Sequence, residues 1–115
     1  REKRVLDAAA ELFYARGVHE VGMDELVRAT GLGKATVYRL YPNKDELIGA
    51  YLRRLSAHIL DAIDTEIERH SDDPAAAIRA IFTAVAEDLA RPSFRGCAFN
   101  NASIEFSDPA HPARI

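Results

Sequence analysis

The chain is poor in the residues that support redox, metal and membrane chemistry. It has one cysteine, Cys97, no tryptophan, and only six glycines and five prolines in 115 residues. A single thiol excludes an internal disulfide framework and any multi-cysteine zinc site within one chain. With no base near it in sequence, Cys97 reads as a small buried residue. The four histidines do not group into a metal site: His58 and His70 are twelve residues apart on one predicted helix, and His19 and His111 fall in separate loops. The apolar runs are far shorter than the roughly 20 residues a membrane-spanning helix needs. No charged stretch followed by an apolar one opens the chain as a signal peptide would. The expectation is a cytoplasmic protein that does not engage a membrane. No strand-like alternation, internal repeat or low-complexity tract is present, and acidic pairs such as Asp61 with Asp64 read as solvated helix surface, so no catalytic constellation and no cofactor are expected.

What is present is a chain with 48% hydrophobic and 29% charged residues, enough to bury one moderate core or two small ones. Its net charge of -3 conceals an asymmetry. Residues 1–55 carry ten Lys or Arg against eight Asp or Glu, whereas residues 56–115 carry five against ten. A phosphate-binding surface needs a local positive patch, not a basic whole, so the acidic total allows nucleic-acid contact and assigns it to the N-terminal part.

The apolar spacing predicts helices throughout. Val5, Leu6, Ala9, Leu12 and Phe13 line one face of a first helix that Gly17 ends. Met23, Leu26 and Val27 mark a short second helix that starts after Gly22 and closes near Thr30, with Asp24 and Glu25 suited to its positive N-terminus. Gly31, Leu32 and Gly33 separate it from a third helix over Lys34 to Leu40, which Tyr41 and Pro42 terminate. Asn43 caps a fourth, whose apolar set from Leu47 to Ile67 carries it to about His70, roughly 25 residues or nearly 40 Å at 1.5 Å per residue. Asp73 and Pro74 start a fifth that includes Ile78, Phe82, Val85 and Leu89 and breaks at Pro92. A short helix from about Cys97 to Phe106 follows, before Asp108, Pro109 and Pro112 interrupt it. The fold class is therefore all-α: a three-helix head with a helix-turn-helix, a long connector helix, and the first helices of a helical regulatory domain.

Two short helices around a tight turn, propped by a third, can place the second helix in a DNA major groove. The spacing alone also suits ordinary helix packing. The chemistry of Lys34 to Lys44 separates the two readings. Lys34, Thr36, Tyr38 and Arg39 crowd donors onto one segment, Val37 and Tyr41 serve as inward anchors, and Ala35 is small enough for close approach to DNA. Lys44 stands at the start of the long helix, where its ammonium and free backbone N–H groups can hold one phosphate together.

At these residues the sequence resembles the TetR family of bacterial transcriptional regulators. Gly31 to Leu47 follows the family's pattern of glycine, aliphatic, small-Lys-small-Thr-aliphatic-Tyr, then aromatic-Pro-x-Lys-acid-x-Leu. Ala8-Ala9-Ala10-Glu11-Leu12-Phe13, with Gly17 after it, resembles the family's first helix, so the resemblance spans about the first 50 residues. A second stretch, with Gly96-Cys97, Asn101-Ala102, Glu105 and Asp108 to Arg114, resembles one branch of these regulators at the start of the sixth helix. Gly22 and Gly33 depart from the pattern, which often has Ser or Thr there, so two caps of order 1 kcal/mol are forgone.

The resemblance implies a DNA-binding domain over residues 1–46 and a partial ligand-binding and dimerisation domain over 47–115. By position, Lys34 and Thr36 approach bases or nearby backbone, with Ala35 between them. Tyr38 and Lys44 hold phosphate, and Arg39 or Leu40 faces the groove. The stripe of Leu55, Ile59, Ile63, Ile78, Phe82, Val85 and Leu89 becomes core around an apolar cavity. His58, Phe82, Asn100 and Asn101 are the candidate ligand contacts, and Glu105 is a further polar group of that cavity. The implied function is a homodimeric repressor that a small-molecule effector releases from a palindromic double-stranded operator. Beginning without an initiator methionine and stopping after a proline-rich turn, the chain reads as a piece that ends before the family's dimer-forming helices. Two other classes suit a helical chain: a partner-binding module without DNA contact, and a small-molecule-binding domain.

Overall fold

The structure is a computed structural model that describes residues 1–92, 94, 96–105 and 110–114. The described residues contain no strand, and the order of elements is α1 (Glu2–Arg16), α2 (Met23–Thr30), α3 (Lys34–Leu40), α4 (Lys44–Arg69), α5 (Pro74–Leu89), α6 (Ala98–Glu105) and a single 3-10 turn, Pro112–Arg114. None of these helices is long and apolar enough to cross a membrane.

The chain divides into two compact units, Arg1–Arg53 with Cys97–Ile115, and Arg54–Gly96. In the first unit, α1 buries Val5, Leu6, Ala9 and Phe13, the face its spacing predicts. Gly17 ends it at φ +84°, where any side chain would be strained, and its N–H donates to Phe13 O at 2.8 Å. Val18 and Val21 of the following loop, Leu26 of α2, Val37 of α3, and Leu47, Ile48, Tyr51 and Leu52 of α4 complete the core. The rings of Phe13 and Tyr51 meet at 5.7 Å with a 52° tilt. Burial, with smaller contributions from Tyr14 and Cys97, pushes the Tyr51 phenol up to about 12.

The C-terminal helix belongs to this unit. Ala102 is buried in the head's core, with Ala98, Phe99 and Ala113 packed against it. Cys97 itself is exposed, contrary to its sequence reading, because α6 turns Ala102 inward and the residue preceding the helix outward. The end of the predicted short helix at Phe106, and the Asp108-Pro109 break, lie outside the described residues.

In the second unit, Asp73 caps α5 by accepting the Ala76 N–H at 3.2 Å, with Pro74 in the first turn. The apolar stripe expected as core is mostly open here. Ile59, Ile78, Phe82, Val85 and Leu89 are exposed, Leu55 and Ile63 are half-buried, and Ala77 is the residue of α5 that is buried. Two helices cannot surround a side chain on every side, so periodicity identifies the apolar face without supplying its cover.

Candidate nucleic-acid interface

The first unit holds α2 and α3 in a fixed relation. Gly31 takes a left-handed conformation at φ +71° after the last residue of α2. Thr30, buried at 3% exposure, uses its hydroxyl twice: it donates to Val27 O at 2.7 Å and accepts the Leu32 N–H at 3.1 Å. A satisfied hydroxyl inside so short a turn fixes the angle at which α3 leaves.

Helix α3 is anchored from beneath and at its end. Val37 is fully buried, Leu40 packs against the core, and Tyr41 is buried while its hydroxyl donates to Glu2 Oε1 of α1 at 2.9 Å. The opposite face carries the polar set. Lys34, Ala35 and Arg39 are exposed, and Thr36 and Tyr38 are half-buried. The Lys34 ammonium lies 5.8 Å from the centroid of the Tyr38 ring, one turn on, where the ring face attracts it. Of the two residues offered for the groove side, Arg39 is the outward one and Leu40 the inward one.

Lys44 is half-buried at the first position of α4. Asn43 caps that helix, its Oδ1 accepting the Glu46 N–H at 2.9 Å, as its position just before the helix predicts. Asp45, the next residue, meets Nε2 of His111 at 3.0 Å. Gly22 and Gly33 start α2 and α3 without a side-chain cap, and neither has an atom within 4 Å of where a Cβ would stand. One compact unit therefore brings together Lys34, Ala35, Thr36, Tyr38 and Arg39 on the outer face of α3, with Lys44 at the head of α4.

The candidate ligand contacts are distributed differently. His58 and Phe82 are exposed in the second unit, while Asn100 is exposed and Asn101 half-buried on α6 of the first. Glu105, taken as a cavity group, instead accepts the backbone N–H groups of Val18 and His19 at 3.3 and 3.1 Å. Sequence reasoning missed this role, as it missed the His111 contact with Asp45. Glu105 lies 87 and 86 residues from its partners, and no local pattern marks a pairing at that separation.

The family profile "Bacterial regulatory proteins, tetR family" matches residues 5–51, which run from α1 into α4. Among curated relatives, an HTH-type transcriptional regulator of Mycobacterium tuberculosis, Rv1255c, is 38% identical over 69 residues, covering 56% of this chain and 34% of that protein. The HTH-type transcriptional activator FasR of Mycolicibacterium smegmatis is 31% identical over 91 residues, covering 76% of this chain and 42% of that protein. The chain thus spans between a third and a half of the length of these relatives. The crystal structure of SCO4454, a TetR-family transcriptional regulator from Streptomyces coelicolor, is 36% identical and superimposes with a TM-score of 0.86, over 98% of this chain and 59% of that one. With a matching head over residues 5–51 and a matching fold along nearly its whole length, the chain belongs to the TetR family of bacterial regulatory proteins.

Proposed function

We propose that this chain is the DNA-binding head and the start of the regulatory domain of a transcriptional regulator, acting in the cytoplasm as a homodimer that represses from a palindromic operator until a small-molecule effector releases it. The observation that carries the reading is the outer face of α3. Lys34, Thr36, Tyr38 and Arg39 project from a seven-residue helix fixed at Val37 and Tyr41, with Lys44 at the next helix start. Donors on a short, rigid rod suit base edges, and a lysine at a helix N-terminus suits phosphate. The relatives are named as regulators, in keeping with a non-enzymatic role.

In this reading residues 1–46 form the DNA-binding domain and residues 47–115 contribute to the ligand-binding and dimerisation domain. The open stripe on α4 and α5 lines part of the effector-binding core, with His58 and Phe82 as its ligand contacts. Effector binding changes the separation of two recognition helices that otherwise match successive major grooves about 34 Å apart.

Selection of bound sequences from random duplexes, made with the full-length protein, tests the reading. It should return a two-fold symmetric site bound well above background, with affinity falling steeply as salt rises. Replacing Thr36, Tyr38 and Lys44 together by alanine should abolish retention of that site in a protein that still folds. Retention untouched by the triple replacement would overturn the assignment of α3 as the reading helix.

A further inference from the structure

Besides packing Ala102 into the head's core, the C-terminal segment makes two polar ties to the head, one to the loop before α2 and one to the residue after Lys44. At the first, the Glu105 carboxylate at the end of α6 straddles the α1–α2 loop: Oε2 accepts the Val18 N–H at 3.3 Å and Oε1 the His19 N–H at 3.1 Å. The His19 ring returns the contact, with Nε2 3.2 Å from the Glu105 carbonyl. At the second, His111 Nδ1 accepts the Ala113 N–H at 3.0 Å, so Nε2 is the nitrogen that carries the proton toward Asp45 Oδ1, also at 3.0 Å. Asp45 adjoins Lys44.

The loop that Glu105 holds determines where α2 begins. Val18 and Val21 are buried on either side of His19 and Glu20. The Arg16 guanidinium donates to Glu20 O at 3.3 Å and pairs with Glu25 of α2, and the Leu26 N–H donates to Gly22 O at 3.1 Å. Beyond α2, the Thr30 turn carries the same placement into α3. A series of hydrogen bonds therefore runs from Glu105 through the loop and α2 to the turn from which α3 leaves, while His111 meets the first turn of α4 from the same segment.

We propose that Glu105 is a positioning residue for the DNA-contacting surface: by accepting two loop N–H groups it sets α2 and α3 relative to Lys44 within one head, with His111 as the second tie. The proposal rests on the nucleic-acid reading above and deepens it. Both carboxylate oxygens are used, so Glu105→Gln is the sharp perturbation. It preserves the volume and the packing around Ala102, yet one acceptor becomes an NH2 group facing a donor. A purely space-filling role would leave this variant like the wild type.

The test is a backbone amide map of the full-length protein, wild type against Glu105→Gln, together with titrations of the duplex that the wild type selects and of a mixed-sequence duplex. The amide resonances of Val18 and His19 should move, and so should those of Lys34 to Leu40. Affinity for the selected duplex should fall about tenfold, the loss of about one base contact, with mixed-sequence binding unchanged. Shifts that stop at the loop, or an unchanged affinity for the selected duplex, would overturn the proposal. Where the wild type selects no duplex, the nucleic-acid reading fails, and the amide map still decides whether Glu105 positions α3.

Discussion

Lys44 gives the most direct quantitative test of the interface. It opens α4 half-buried, on a first turn whose geometry is fixed by the Asn43 cap, and its acidic neighbour Asp45 faces His111 at 3.0 Å. A half-buried lysine has less side-chain freedom to lose when its ammonium meets a phosphate, and it displaces a condensed counterion when it does. Lys44→Gln should therefore reduce the slope of log K against log salt by about 0.9 per head. Between 50 and 200 mM salt, a fourfold change, this is about a 3.5-fold difference in the affinity ratio of wild type to variant for one head, and about twelvefold for two. The assay is fluorescence anisotropy of a labelled duplex titrated at several KCl concentrations. Arg79→Gln, which removes a surface partner of Asp73 at 4.0 Å in the other unit, serves as the control and should leave the slope unchanged. A Lys44→Gln slope equal to that of the wild type would refute phosphate contact at this position, whatever the loss in affinity.

Two further outcomes concern stability. Gly33 sits at φ -70° and ψ 148° with open space where a Cβ would go, so Gly33→Ser should gain about 0.5–1 kcal/mol from reduced chain freedom and a new cap. A thermal melt should rise by a few degrees, and a lower midpoint would count against the cap geometry. The Tyr51 phenol, pushed up to about 12 from an ordinary value of 10.0, contributes stability that is complete below pH 10 and is lost as pH climbs through 12. An absorbance titration should show a tyrosinate step near pH 12 that disappears in Tyr51→Phe, accompanied by alkaline unfolding of the wild type over the same interval.

The helical architecture was legible because its signals are local. The apolar spacing of Val5 to Phe13, the glycines at 17 and 31, the Asn43 and Asp73 caps and the proline at 74 each act within one or two turns, and the helices begin and end where these residues place them. The polar face of α3 was legible for the same reason. Periodicity separates Val37 from Lys34, Ala35 and Arg39, although the choice between Arg39 and Leu40 needed the packed core beneath them.

Other features were decided by the tertiary structure, because they depend on residues that meet across the length of the chain. An amphipathic stripe states which side chains prefer to leave water, and the exposure of Phe82 and Ile78 shows that the preference does not provide a neighbour. Cys97 falls outward because α6 uses Ala102 as its buried contact. The helices, the turn between α2 and α3, and the donors that share one face are written locally, since each follows from hydrogen bonds and side-chain periods a few residues long. Only the folded chain brought the Glu105 carboxylate to the loop after α1 and His111 to the start of α4, because closing a loop of that length is governed by packing over the whole unit.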